Sequence, residues 1–157
     1  MKISFIAHGK TADKRLDSLT QDYCGRISHY LPFEFLALPN LRNTKNLTRE
    51  RQRQQEGEQL GRQLLAGDHL VLLDERGKLM RSLEFAQWLE RKMSTLQGRL
   101  VFVAGGPYGF SADTYSKANE ELSLSLMTFS HQMVRLFFVE QLYRALAILN
   151  GEPYHHE

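Results

Sequence analysis

The chain predicts an α/β fold, a mostly parallel sheet flanked by helices, and three observations carry that reading. Leu70 to Leu73, following His69, and Leu100 to Ala104 are short unbroken apolar runs, the pattern of strands covered on both faces. Between them Phe85, Ala86, Leu89 and Met93 recur at helical spacing. Other strand-like segments alternate with helical ones on either side, as crossovers between parallel strands require.

Taken in order, Lys2 to Ala7 reads as a first strand, because its apolar stretch is too short for a secretory leader and stops at His8-Gly9-Lys10. Leu16, Leu19, Tyr23 and Ile27 then fall near helical spacing. Phe33 to Leu38 is a second strand bounded by Pro32 and Pro39, residues that sit comfortably just outside a ladder. Asn40 to Asn46 reads as loop. Thr48 to Gln59 has no apolar side chain, which predicts a solvated helix gaining a buried face only at Leu60, Leu64 and Leu65 before Gly67 ends it. After the strand at 69–73, Asp74 to Lys78 is expected to turn the chain. Ser82 is the expected cap of the Phe85 helix, and Gly98 lies beyond its end. A glycine loop and a short polar helix from Ser111 precede a strand over Leu122 to Leu126, read from its alternation, and a last helix from about Gln132 to Leu149.

A length of 157 residues with 42% hydrophobic composition suits one domain, residues 1–157, with a real core. The net charge of +2, from 20 Lys and Arg against 18 Asp and Glu, provides no global field that would by itself indicate a nucleic-acid partner. The most basic stretch holds Arg42, Lys45, Arg49, Arg51, Arg53 and Arg62, diluted by Glu50, Glu56 and Glu58. It suits phosphate contacts, although a solvated charged helix is the commoner reason for such a run. The single cysteine, Cys24, excludes an intrachain disulfide and a multi-cysteine metal site, and fits a reducing, cytoplasmic compartment. Met133 to Leu149 is interrupted by Arg135, Glu140 and Arg144, so neither a membrane span nor a membrane partner is expected. No metal is expected either, since His155 and His156 are adjacent and no spaced histidine pair exists.

Gly105-Gly106-Pro107-Tyr108-Gly109 follows a buried strand, at the carboxyl edge where open α/β sheets bind ligands. Glycine there admits close backbone approach to a ligand, or serves a tight turn. It matches neither a dinucleotide nor a triphosphate loop, and His8-Gly9-Lys10 after the first strand has no glycine fingerprint, which disfavours a dehydrogenase. In the segment 122–135, Met127 and Phe129 are candidates to line an adenine pocket, unless the segment is a plain strand-loop-helix connection. His131 stands where a helix begins, with Ser130 available as its cap, and can act as acceptor or base or lie idle at the surface. Arg135 one turn later suits a phosphate, a carboxylate or an internal ion pair. Glu140 and Arg144, four residues apart, read as a structural pair. Val134, Leu136, Phe137, Phe138, Val139, Leu142, Leu146 and Leu149 cannot share one narrow stripe, so part of the last helix is expected to meet a second subunit.

Leu-Asp-Glu-Arg-Gly-Lys at 73–78, Gly-Gly-Pro-Tyr-Gly at 105–109, Leu-Ser-Leu-Ser-Leu-Met-Thr-Phe-Ser-His-Gln-Met-Val-Arg at 122–135, Glu-Gln-Leu-Tyr-Arg-Ala at 140–145 and Gly-Glu-Pro-Tyr-His at 151–155 together resemble the RlmH family. Several motifs in the right order and spacing are far more specific than any one. The resemblance implies a SPOUT fold with a C-terminal trefoil knot, a rare exception to the unknotted rule. It also implies a homodimer, S-adenosylmethionine as methyl donor, and methylation of ring nitrogen N3 of a pseudouridine in large-subunit ribosomal RNA, on the assembled ribosome. The cofactor positions it implies are Leu73, Gly105, Leu124, Ser125, Leu126, Met127, Thr128 and Phe129, with Gly106 and Gly109 shaping the loop. Candidates for catalysis are His131, Arg135, Tyr154 and His155: a histidine to take or relay the proton, Arg135 to hold RNA or stabilise charge, Tyr154 to stack on the base.

The chain departs from the family pattern at His8, where a small apolar residue is expected, at Ser130 for proline, at Leu126 for lysine, and at His156 for a terminal arginine or lysine. His156 bears on RNA contact, being only partly charged at neutral pH. The alternatives are a SPOUT enzyme acting on another RNA such as transfer RNA, or a non-catalytic ribosome-binding module.

Overall fold

The structure, a computed structural model, describes residues 1–156. Strands β1 (Ile3–His8), β2 (Phe33–Leu38), β3 (His69–Leu79), β4 (Leu100–Ala104) and β5 (Glu120–Ser123) form one parallel sheet in the order β2-β1-β4-β3-β5. Helices α1 (Lys14–Ile27), α3 (Ser82–Thr95) and α5 (Met133–Leu149) cover one face, while α2 (Arg49–Gly61) and α4 (Ala112–Lys117) lie on the other. The expected α/β architecture is present.

Strand period explains the two cores. Successive side chains point to opposite faces, so Phe5, Val71 and Phe102 face α1, α3 and α5, whereas Ile6, Leu72, Val101 and Val103 pack beneath Leu60 and Phe110. With both faces covered, β1 and β4 are buried along their whole lengths, Ser4 and His8 of β1 included. Phe138 of α5 is fully buried and its ring lies 4.7 Å from those of both Phe5 and Phe102. The helices start where side-chain oxygens cap them: Asp13 for α1, Thr48 for α2 and Ser111 for α4.

Four expectations need correction. Asp74 to Lys78 does not turn the chain: β3 continues to Leu79, with a register shift against β5 between Leu73 and Lys78. Gly77 permits this, since a Cβ there would lie 2.6 Å from the carbonyl carbon of Glu121. Strand β5 spans Glu120–Ser123, and Leu124 to Leu126 have left the sheet although they continue its alternation. The cap position of α3 is Arg81, whose backbone N–H donates to Glu84 Oε2 at 2.8 Å; Ser82 is already helical and its hydroxyl donates to Gln141 of α5 at 3.1 Å. Leu65 lies past the end of α2 and is exposed, while the polar Glu56 is buried. Among the described residues no helix is long and apolar enough to cross a membrane.

Phe138→Ala is expected to cost about 3–5 kcal/mol, the range for a large buried aromatic. Thermal unfolding followed by circular dichroism should show a midpoint lowered by roughly 10 °C.

Candidate active site

The pairing register brings Leu73, Ala104 and Leu122 side by side, at the carboxyl ends of β4 and β5 and at the point where β3 shifts its register. Parallel strands that end together send their loops outward from a common edge, and a crevice forms where those loops diverge. Here it encloses about 770 Å³, floored by Leu73, Ala104 and Leu122. Residues 105–110 form one wall and the β5–α5 loop another; Asp74, Glu75, Arg76 and Tyr115 close a third side.

The glycine loop is folded tightly. Gly106 and Gly109 form an isolated antiparallel bridge, and the Gly109 N–H donates to Gly106 O at 3.2 Å. Gly109 has φ +77°, a left-handed conformation that L side chains rarely adopt, and a Cβ on Gly106 would meet Glu56 Oε2 at 2.4 Å. Backbone therefore forms this wall.

Polar side chains brace the opposite loop from within. Ser123 Oγ donates to Ser125 O at 2.9 Å, and Ser125 Oγ accepts from the Met127 N–H at 3.0 Å. Thr128 Oγ1 donates to Glu75 Oε2 at 2.6 Å, tying this loop to β3. The Phe129 ring stacks on Phe137 at 4.9 Å, and Ser130 Oγ accepts from the first helical N–H of α5, that of Met133, at 3.1 Å. On the third side Tyr115 Oη donates to the Asp74 carboxylate and accepts from Arg76 Nη2 at 3.2 Å. Burial and that carboxylate push the phenol above its usual range.

A family model described as "Predicted SPOUT methyltransferase" matches residues 1–155. The chain belongs to the SPOUT methyltransferase family. It is 54% identical to a Phocaeicola vulgatus protein named "Ribosomal RNA large subunit methyltransferase H", with all of both chains covered. Proteins of that name from Bacteroides fragilis and Flavobacterium johnsoniae are each 52% identical over the full length of both chains. Among solved structures, a probable methyltransferase from Bordetella pertussis superposes with TM-score 0.54 at 14% identity, over 92% of this chain and 95% of that one. A probable methylase family protein from Haemophilus influenzae gives 0.51 at 10% identity, over 99% of this chain and 70% of that one. These two likenesses are of fold.

In this SPOUT chain Leu73, Gly105, Gly106, Gly109, Leu124, Ser125, Met127, Thr128 and Phe129 all border the one crevice. Leu126 lies outside its lining, with its side chain 78% exposed. His131 also borders it, and both burial and the nearby Arg135 guanidinium lower the imidazole pKa. Arg135 is fully buried instead. Its guanidinium donates to His8 O at 2.8 Å, Gly9 O at 2.8 Å, Thr11 Oγ1 at 3.0 Å and His131 O at 3.2 Å.

Tyr154 and His155 sit away from the crevice, on the outer side of α1 and α5. Tyr154 Oη donates to Glu140 Oε1 at 3.0 Å and lies 3.1 Å from Tyr23 Oη; Arg144 Nη1 is 3.1 Å from His155 Nδ1. Glu140 and Arg144 form the expected pair at 2.6 Å. Asp74, Arg76 and Tyr115 are lining residues that sequence reasoning passed over, because the first two were assigned to a turn and the third to an unremarkable helix. Arg49 and Arg53 stand at the mouth, where Arg49 lies over the Tyr108 ring at 5.1 Å and Arg53 pairs with Glu50 at 2.8 Å. The basic run in the sequence was their only signal.

His8 is buried at the end of β1, and its pKa is lowered to about 4 by that burial and by Arg135. The unfolded chain takes up this proton near pH 6.5, while the folded chain refuses it until about pH 4. Stability therefore falls as pH drops through that window. Between pH 7 and pH 5, urea unfolding should show the wild type losing about 2 kcal/mol more than His8→Ala.

Proposed function

We propose that this protein transfers a methyl group from S-adenosylmethionine to ring nitrogen N3 of a pseudouridine in large-subunit ribosomal RNA, on the assembled ribosome. The observation that carries the reading is one crevice at the carboxyl edge of a parallel sheet, bordered by both loops that the family motifs occupy, in a chain about half identical to named large-subunit RNA methyltransferases. We further infer the trefoil knot of the SPOUT class in the C-terminal part of the chain. In its favour, the loops at 105–110 and 124–131 face one another across the crevice, and Arg135 reaches back to the end of β1.

The crevice volume of about 770 Å³ falls within the range of small-molecule sites. Leu73, Leu122 and Leu124 offer apolar surface for a purine, and the glycine wall, where a Cβ on Gly105 would press on the Phe110 ring at 3.2 Å, lets backbone close over it. The residues present thus fit S-adenosylmethionine. Leu73, Gly105 and residues 124–129 would hold it, Leu126 through its backbone, with Gly106 and Gly109 shaping the loop. The bound cofactor supplies an electrophilic methyl group on sulfonium sulfur. Positioning is then the main task of the protein.

His131 holds a largely neutral imidazole at pH 7, because burial and Arg135 disfavour its charged form. It can accept the proton that the ring nitrogen sheds. Arg135 acts as a positioning residue, fixing the His131 carbonyl and the end of β1 together. Arg49 and Arg53 at the mouth offer charge to RNA phosphates. We assign the apolar surface of Leu126, Met127, Met133 and Phe137, all exposed in one chain, to the interface of a homodimer, in which Tyr154 and His155 serve the partner's site. The compartment is the cytoplasm, where the buried Cys24 thiol, pushed up to about 12 by burial, stays unreactive.

Sedimentation should report twice the 18.2 kDa of one chain. Labelled S-adenosylmethionine incubated with ribosomes from cells lacking this protein should place label on a large-subunit pseudouridine, mapped by mass spectrometry; label on transfer RNA alone would overturn the substrate. His131→Gln should lower kcat roughly 100-fold while S-adenosylmethionine affinity, read by calorimetry, changes by less than about twofold.

A further inference from the structure

We propose that a second pocket beside the crevice seats the base that receives the methyl group, and that Glu56 and His8 read a ring N–H of that base. The inference rests on the methyltransferase reading and adds an acceptor site to it. The pocket encloses about 310 Å³ at the carboxyl ends of β1 and β2, between Asn40, the inner side of α2 and the residues before α5. Pro107 and His131 line both it and the crevice, so the two cavities meet at the candidate proton acceptor. Glu56 lies directly under the glycine loop, as its 2.4 Å approach to a Cβ on Gly106 shows.

The lining has a definite polarity. Glu56 and His8 are only 6% and 4% exposed, yet Glu56 Oε1 and His8 Nδ1 have no hydrogen-bond partner among the described residues. A polar atom so buried and unpaired costs free energy that a ligand hydrogen bond recovers. The Gln59 amide nitrogen donates to Pro39 O at 2.8 Å, which leaves its oxygen to take the His8 ring N–H. His8, kept neutral by burial, then presents a lone pair on Nδ1. Burial raises the Glu56 carboxyl above its ordinary value against a side-chain hydrogen bond from Gln52, and its Oε1 is left without a partner among the described residues. His8 and Glu56 thus both line the pocket and each carries a buried unpaired acceptor, a lining that complements a ligand N–H donor.

Nucleobase chemistry narrows the choice. Uridine has one ring N–H, at the nitrogen that is methylated. Pseudouridine is joined to its ribose through carbon and so retains a second, N1–H, which remains available while N3 faces the methyl donor. A pocket lined by acceptors thus selects pseudouridine over uridine by the hydrogen bond only the former can donate, and an analogue lacking that donor strands the buried acceptors.

The test is an NMR titration of the full-length protein with three nucleosides: pseudouridine, uridine and 1-methylpseudouridine. Pseudouridine should move the side-chain signals of Gln52, Gln59 and His131. The other two should bind roughly tenfold or more weakly, as should pseudouridine to Glu56→Leu or His8→Ala, each having lost one buried acceptor. Equal responses to all three nucleosides, shifts confined elsewhere, or no shift at millimolar pseudouridine would overturn the inference. Methyl transfer to ribosomes, run alongside on the wild type, separates the two levels. Transfer with the pocket signals unmoved removes only the acceptor site; absence of both transfer and S-adenosylmethionine binding removes the reading beneath it. Because the nucleoside comparison uses the wild type, it stands even if a variant fails to fold.

Discussion

Much of the site depends on one buried charge. An arginine taken wholly out of water is tolerated only if its N–H groups find acceptors. Arg135, in the first turn of α5, finds them in the carbonyls of His8, Gly9 and His131 and in the Thr11 hydroxyl. Among the described residues no carboxylate hydrogen-bonds it; the dipoles of the chain leaving β1 hold it, and the Asp17 carboxylate also favours its charge. The start of the last helix is thereby held against the end of a central strand, and the loop entering that helix has little freedom left. His131 owes its place to this, since its own carbonyl is one of the acceptors.

The crevice follows from register. Leu73, Ala104 and Leu122 are direct partners across β3, β4 and β5, so the loops after β4 and β5 leave the sheet from the line where β3 shifts its register. One of them is narrow because Gly106 has Glu56 behind it and Gly109 takes a left-handed backbone. The other is stiffened by Ser123, Ser125 and Thr128, each of which spends its hydroxyl on a local or cross-loop hydrogen bond. Walls made of braced loops and bare backbone suit a ligand whose reacting atom must be placed closely.

Helix α2 links the two cavities. Its outer residues Arg49 and Arg53 stand at the mouth of the crevice, while Glu56, one turn further on, is buried under the glycine loop, and Leu60 anchors the helix to the sheet. A helix almost without apolar side chains would have little reason to dock. Its packing depends on one leucine and on polar residues whose partners lie elsewhere in the chain, such as Gln59 on Pro39 O.

The order of strands and helices was legible in the sequence because a strand buried on both faces and a helix buried on one face leave different apolar periods. The motif residues from Leu73 to Phe129 were legible as a set through their resemblance to a family. What the sequence did not show is what depends on contacts between distant segments. Asp74 to Lys78 has the composition of a turn, yet extends β3 because β5 comes alongside Gly77. Leu126 continues an alternation that its loop, having left the sheet, no longer obeys. Arg135 had a phosphate, a carboxylate or an ion pair as equal readings until the end of β1 was brought against it. Glu56 and His8 lie 48 positions apart in the chain, and nothing local marks either as buried or as facing the other's pocket. Periodicity and motif are local properties that a chain carries unfolded; which buried donor meets which acceptor is settled only when the sheet closes.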